Sequence, residues 1–103
     1  MDKPIDEFIK VYKYVNSSMI DAINNNGGSI KFNTENECGD GVFWILWHDI
    51  HCEWKENMIS EISIIDDRVN IFVKDEFGDT LNVTDCCQND LTFLYASIID
   101  YIG

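Results

Sequence analysis

The side chains best suited to hold a metal ion lie between residues 38 and 52. Cys38, His48, His51 and Cys52 carry the thiol and imidazole groups that Zn²⁺ takes in tetrahedral sites. The pattern His48-x-x-His51-Cys52 could supply two of these ligands, with Cys38 folding over them, but it lacks the paired Cys-x-x-Cys of a zinc knuckle. The alternative is ordinary thiols, with histidines on a polar strand face. We expect no bound zinc and no cofactor, and keep a zinc-binding protein as an alternative.

The adjacent thiols of Cys86 and Cys87 raise a second question of chemistry. Neighbouring cysteines form a disulfide only with strain, because their geometry matches a relaxed S–S bond poorly. We therefore expect both thiols to pack at a corner between a strand and a helix.

Hydrolytic chemistry lacks its usual signatures in this sequence. No glycine-flanked serine elbow, phosphate-binding glycine loop or His-Glu-x-x-His motif occurs. The carboxylates fall mainly where strands end and turns begin, positions at which aspartate serves turn geometry. The sequence therefore predicts a protein that is not an enzyme.

The charge points to a kind of partner. The net charge is −12, and residues 32–103 carry all of it because acids and bases balance over residues 1–31. Such a field repels nucleic acids and anionic membranes and attracts basic proteins. We expect a carboxylate-rich binding surface on the second segment, formed by Asp66, Asp67, Asp75, Glu76 and Asp79.

The two ends of the chain have helical periodicity. At the N-terminal end, apolar residues at three- and four-residue spacing form one stripe, with Asp2 as cap, Pro4 in the first turn and a stop at residues 24–28. The stripe comprises Ile5, Phe8, Ile9, Tyr12, Val15, Met19, Ala22 and Ile23. A second helix begins after Asn89 and carries Leu91, Leu94, Tyr95, Ile98 and Ile102 on one stripe.

Short extended segments lie between the helices. They are predicted over residues 29–33, 42–47, 58–65, 69–74 and around 81–83. Residues 34–41 read as a loop, and turns are expected at residues 66–67 and 76–79. Residues 48–57 fit either a helix or a strand, and we favour a strand that makes a hairpin with 58–65.

Both faces of the predicted sheet contain apolar residues. If the two helices cover one face, Ile65 and Phe72 fall on the other, together with Ile59. Segment 42–47 adds either Trp44 and Leu46 or the alternate set with Trp47. We therefore predict a homodimer or partner site on the face with Ile65 and Phe72, and place Trp47 among the partner-binding residues. The alternative is that residues 34–41 and 48–57 bury this face within the chain.

The last third of the chain resembles the small acidic proteins of unknown function encoded in gut-bacterial genomes and mobile elements. The resemblance covers about 40 residues and rests on segments 62–67, 72–79 and 89–91. It implies an accessory role and carries no catalytic residues.

These features together predict one α+β domain over residues 1–103. An antiparallel sheet of four to five strands is packed against the N-terminal and C-terminal helices. No signal peptide or long apolar run is seen, so we expect a cytoplasmic protein with reduced thiols. The predicted function is protein interaction, in its sharpest form an acidic inhibitor, immunity protein or nucleic-acid mimic that binds a basic partner. A self-associating structural domain is the alternative.

Overall fold

The computed structural model describes residues 4–34, 42–87 and 91–102, without the side chains of residues 4–6, 8 and 9. It contains α1 (Pro4–Asn25), β1 (Ser29–Lys31), β2 (Trp44–His48), β3 (Trp54–Ile65), β4 (Arg68–Lys74), β5 (Thr80–Asn82) and α2 (Leu91–Ile102). The five strands form an antiparallel sheet, so the predicted α+β class and element order are confirmed.

Helix α1 ends where two glycines allow a left-handed backbone. Gly27 and Gly28 have φ of 87° and 89°. The N–H of Gly28 donates to Ile23 O at 2.9 Å, and that of Gly27 donates to Asn24 O at 3.1 Å. This Schellman pattern satisfies the last carbonyls of the helix. The proposed caps Asp2 and Asn89, and the stripe side chains Ile5, Phe8 and Ile9, lie outside the described residues.

The long central strand β3 organises the sheet. β4 pairs along one edge of its second half, through Ile59↔Val73 to Ile65↔Arg68, and β5 continues the sheet beyond β4. On the other edge, β2 pairs with the first half of β3 and β1 with the second half. Residues 48–57 form a strand only at their two ends, at His48 in β2 and at residues 54–57 in β3. The expected hairpin with 58–65 is wrong, because residues 49–53 form the turn and residues 54–57 continue into 58–65 as one strand that pairs with β2.

A β-bulge at Ser60 changes which residues of β3 face the core. The register shifts between Ile59↔Val73 and Glu61↔Phe72, and Ser60 Oγ donates to Phe72 O at 3.2 Å. A bulge breaks the strict alternation of a strand. As a result Ile59 is buried with 1% of its surface exposed. Its expected place on the outer face was wrong for this reason.

The segment after β5 returns to β2. Trp47 forms an isolated bridge with Cys87, and the N–H of His48 donates to Cys86 O at 3.0 Å. β2 and β5 are otherwise far apart in the strand order. The sheet therefore curls until its two sides meet at residues 86–87.

The core lies between the helices and one face of the sheet. Met19 and Ile23 of α1 and Tyr95 and Ile98 of α2 pack with the inward residues of the strands. The inward strand residues are Ile45, Trp47, Ile59, Ile62, Val69, Ile71 and Val73. Neither helix, over the described residues, combines the length and apolar character that crossing a membrane requires.

The outer face of the sheet is mostly polar. Ser63 Oγ donates to Glu61 Oε2 at 2.6 Å, and Asn82 Nδ2 donates to Asn70 Oδ1 at 3.1 Å. Phe72 is half-buried beside them, and Ile65 is 46% exposed at the end of β3. A continuous apolar surface around Ile65 and Phe72 was expected, but polar side chains separate the two residues.

Candidate functional site: a cleft between two hairpins

A half-open cleft of about 910 Å³ lies between the β2–β3 hairpin and the β4–β5 hairpin. Trp47, Leu81, Val83 and Cys86 line it with side chains that are buried or half-buried. The turns of the two hairpins form its rim. Both turns place an exposed apolar side chain there, Ile50 and Phe77, and the remaining lining residues are His48, Asp49, Cys52, Lys55, Glu56, Asn57, Asp75, Glu76 and Asn82.

The β2–β3 turn is held by the carboxylate of Asp49. The backbone N–H groups of His51 and Glu53 donate to Asp49 Oδ1 at 2.8 and 3.1 Å. The N–H of Asp49 donates to Glu53 O, and that of Cys52 donates to Asp49 O, both at 3.0 Å. Cys52 takes a left-handed backbone conformation with φ of 58°. An aspartate that bonds nearby N–H groups stabilises such a turn.

The β4–β5 turn repeats this arrangement around Asp75. The N–H groups of Phe77 and Asp79 donate to Asp75 Oδ1 at 2.9 and 2.8 Å. The N–H of Asp75 donates to Asp79 O at 2.9 Å, and that of Gly78 donates to Asp75 O at 3.0 Å. Gly78 is the left-handed residue, with φ of 84°. We call residues 49–53 and 75–79 the twin turns.

A side-chain amide at the inner end of the cleft links the two hairpins. Trp47 Nε1 donates to Asn57 Oδ1 at 2.9 Å, and Asn57 Nδ2 donates to Lys74 O at 3.3 Å. Trp47 is only 7% exposed. Trp47 therefore belongs to the core and the cleft floor. It does not lie on the exposed partner surface that the sequence predicted.

Among the residues that the structure describes, the first half of β3 has no partner along the backbone edge that faces the cleft. The N–H of Ile59 donates to Phe43 O on the β2 side at 2.7 Å. Because backbone direction alternates along a strand, Trp54 and Glu56 direct their N–H and C=O groups away from β2. Within the described residues, β4 pairs with no residue of β3 before Ile59. The consecutive residues 55–57 all line the cleft, which indicates that the strand edge itself borders it.

Carboxylates outnumber cations in the cleft lining. Asp49, Glu56, Asp75 and Glu76 are the four acidic lining residues, with Glu56 at the strand edge and on its outer side, whereas Lys55 is the one Lys or Arg among the described lining residues. Lys55 Nζ lies 3.4 Å from Asp49 Oδ2 and is therefore partly neutralised. The N–H of Glu53, helped by that of His51 and by Lys55, lowers the pKa of the Asp49 carboxyl below its ordinary value of 3.8.

The acidic residues predicted to form one binding surface lie at two ends of the sheet. Asp66 and Asp67 form the β3–β4 turn, in which both have positive φ. Asp75, Glu76 and Asp79 belong to the β4–β5 turn, at the other end of β4. A strand of seven residues spans roughly 20 Å, so the five carboxylates do not make one cluster. The turns themselves were predicted and are confirmed.

The metal candidates are distributed around the β2–β3 turn. The ring of His48 packs edge-on against Trp54, with centroids 5.2 Å apart, while His51 and Cys52 are exposed in the turn. Cys38 lies outside the described residues. In the part of the chain that the structure covers, no three Cys, His, Asp or Glu side chains are grouped closely enough to hold a metal ion.

Cys86 and Cys87 lie, half-buried, where the chain returns to β2. Cys87 Sγ donates to Thr84 O at 3.3 Å, and Cys86 lines the cleft. Leu81, Val83 and Cys86 were not among the predicted site residues. Only the repeated pattern of an aspartate followed four residues later by an acid, at 49–53 and 75–79, could have indicated paired hairpin turns.

Comparison with known proteins adds no relative: no protein-family model, curated protein or solved structure matches this chain.

Proposed function

We propose that this protein is a non-enzymatic interaction module that binds a basic segment of a partner protein in the cleft between the twin turns. The observation that supports this proposal is a cleft with an apolar floor and four acidic residues in its lining. Apolar area supplies binding energy, and the acidic rim selects cationic partners and speeds their approach. In its most specific version, the proposed function is that of an acidic inhibitor, immunity protein or nucleic-acid mimic.

The shape of the cleft favours a polypeptide over a small molecule. Small-molecule sites usually enclose most of the ligand surface. This cleft is half-open, and its rim carries Ile50 and Phe77 with 93% and 81% of their surfaces exposed. Two exposed apolar side chains beside a buried tryptophan suit a chain that lies across the rim and inserts a side chain between the hairpins.

The test compares two pairs of neutralised acids with a fluorescein-labelled heptapeptide that alternates lysine and valine. Asp75→Asn with Glu76→Gln removes two charges at the cleft, whereas Asp66→Asn with Asp67→Asn removes two at the opposite end of β4. Asparagine keeps the turn-forming oxygen and tolerates positive φ, so both turns are retained. We expect the cleft pair to weaken peptide binding several-fold more than the distant pair.

Fluorescence anisotropy at low and at about 0.5 M salt gives the readout, because salt at this level screens charges beyond a few ångströms. Equal effects of the two pairs would mean that net charge alone attracts the peptide, and the cleft would not be the site.

Self-association is a second candidate, favoured by one observation. Trp44, Leu46 and Trp54 lie on the outer face of the β2–β3 hairpin and are 43%, 39% and 50% exposed. Salt separates the candidates: it screens repulsion between two copies of a −12 chain and so strengthens self-association, whereas it weakens binding of a basic segment.

A further inference from the structure

We infer that the partner segment binds as an added β-strand on the unpaired edge of β3 at Trp54–Met58, with basic and apolar residues alternating along it. This inference rests on the proposed function and specifies the conformation and sequence pattern of the ligand. Strand addition joins two chains through backbone hydrogen bonds, and alternate side chains then give specificity.

The backbone of β3 is oriented for this pairing. Trp54 and Glu56 point their N–H and C=O groups away from β2, and within the described residues no strand pairs with them on that side. β4 stops short because Asn57 Nδ2 takes the Lys74 carbonyl and the chain turns away at Asp75. Unpaired groups at a sheet edge are a template for another strand.

The two faces of β3 would contact different side chains of the added strand. Residues of the ligand opposite Lys55 and Asn57 share the inner face with Trp47, which lines the cleft floor with Leu81 and Val83. Residues opposite Glu56 share the outer face, where directly opposite charges attract. An alternation of apolar and basic residues fits both faces at once.

Charge selects a basic segment over a second copy of this chain. The edge is bordered by Glu56, Asp75 and Glu76, and the chain carries a net charge of −12. A strand from a second copy would bring like charge to this acidic edge, which opposes pairing. A lysine- or arginine-bearing strand removes repulsion there and gains a cross-strand partner in Glu56.

The experiment uses the full chain and heptapeptides that alternate lysine with valine or arginine with phenylalanine. Each peptide is also made in two N-methylated forms, methylated at every odd or at every even residue. In an added strand only alternate N–H groups point to the neighbour. We expect one methylated form to lose binding by about tenfold or more while the other retains it, since only one form loses the backbone hydrogen bonds to β3.

Amide hydrogen exchange locates the peptide on the protein. We expect slower exchange at the N–H groups of Trp54 and Glu56 when the unmethylated peptide is bound. Glu56→Pro removes the donor on the unpaired edge and leaves the β2–β3 ladder intact, whereas Glu56→Ala removes the same charge and keeps the donor. The proline variant should bind at least several-fold more weakly than the alanine variant.

The outcomes separate this inference from the proposed function. If the two methylated forms bind equally well and amide hydrogen exchange at Trp54 and Glu56 does not change, strand addition is wrong while the cleft proposal stands. Failure of all basic peptides to bind at low salt would overturn the proposed function and this inference together. Equal binding of a heptapeptide that alternates glutamate with valine would overturn the choice of a basic ligand.

Discussion

Cys52 and Gly78 occupy the same position in two turns that share one hydrogen-bonding pattern. Both residues have a left-handed backbone, with φ of 58° and 84°, and both donate their N–H to the aspartate that opens the turn. Glycine takes this conformation without a steric cost, whereas a residue with a Cβ does not. The β4–β5 turn therefore has glycine, the residue favoured at positive φ, at this position, whereas the β2–β3 turn has a strained cysteine there.

Exchanging the residue types at these positions should change stability in opposite directions. Cys52→Gly is expected to raise the free energy of unfolding by about 0.5–1 kcal/mol, because relief of strain exceeds the added entropy of the unfolded chain. Gly78→Ala should lower it by about 1 kcal/mol, and no atom within 4 Å of the new Cβ adds a clash. Urea unfolding measures both, and changes of the same sign would contradict this reading of the turns.

Acid should weaken the β2–β3 turn through Asp49. The folded-state pKa of Asp49 is lowered, chiefly by the N–H of Glu53, from the ordinary value of 3.8 that it has in the unfolded chain. The contribution of Asp49 to stability is therefore complete above pH 3.8 and is lost as the pH falls through the lower folded-state pKa. Asp49→Asn keeps the acceptor oxygen and cannot titrate. We expect the stability difference between wild type and this variant to shrink as pH is lowered from 6 to about 2.5. Urea unfolding across that range is the measurement, and a constant difference would be inconsistent with the assignment.

Asn57 should hold the cleft floor to the end of β4. Asn57→Ala removes the acceptor for Trp47 Nε1 and the donor to Lys74 O, and is expected to cost about 1–3 kcal/mol because a nearly buried N–H loses its partner. Asn57→Asp keeps an acceptor for the indole and should cost less. Unfolding followed by far-ultraviolet circular dichroism compares them without relying on tryptophan fluorescence. Equal losses would show that the indole bond contributes little.

Zinc should not accompany the purified protein. His48 packs against Trp54, and His51 and Cys52 project from an exposed turn, so these residues are not gathered into a tetrahedral set. Elemental analysis of protein prepared without chelator checks this, with Cys52→Ala and His48→Ala as comparisons. About one zinc per chain that disappears in either variant would establish the metal site instead.

The outer face of the β2–β3 hairpin supplies the test of self-association. If the exposed side chains of Trp44, Leu46 and Trp54 join two copies, Leu46→Lys should shift sedimentation equilibrium toward monomer, and added salt should favour the dimer of the wild type. Phe72→Lys tests the surface that the sequence favoured. A wild type that stays monomeric at all salt concentrations would exclude this candidate, and marked destabilisation by Phe72→Lys would identify Phe72 as a packing residue.

Local patterns in the sequence were sufficient for most elements of this fold, residues 48–57 excepted. The apolar stripes of α1 and α2, the alternation of Val69, Ile71 and Val73, and the turns at 66–67 and 76–79 each depend on residues near one another in the chain. Periodicity and turn chemistry are local properties, so they can be read without knowing the tertiary structure. The α+β class followed because both helices carry one apolar stripe that a sheet can cover.

The faces of the sheet and the cleft depended on contacts between distant residues. The bulge at Ser60 turned Ile59 inward, and because Met58 and Ile59 are both apolar, no local signal distinguishes this register from a regular one. The return of residues 86–87 to β2 made Trp47 a floor residue, and the length of β4 set Asp66 and Asp67 apart from Asp75 and Glu76. Sequence alone determined the two helices, most of the strands and the turns at 66–67 and 76–79. Tertiary pairing decided the turn at 49–53 and which side chains meet, because register and sheet curvature arise only when separate segments hydrogen-bond to one another.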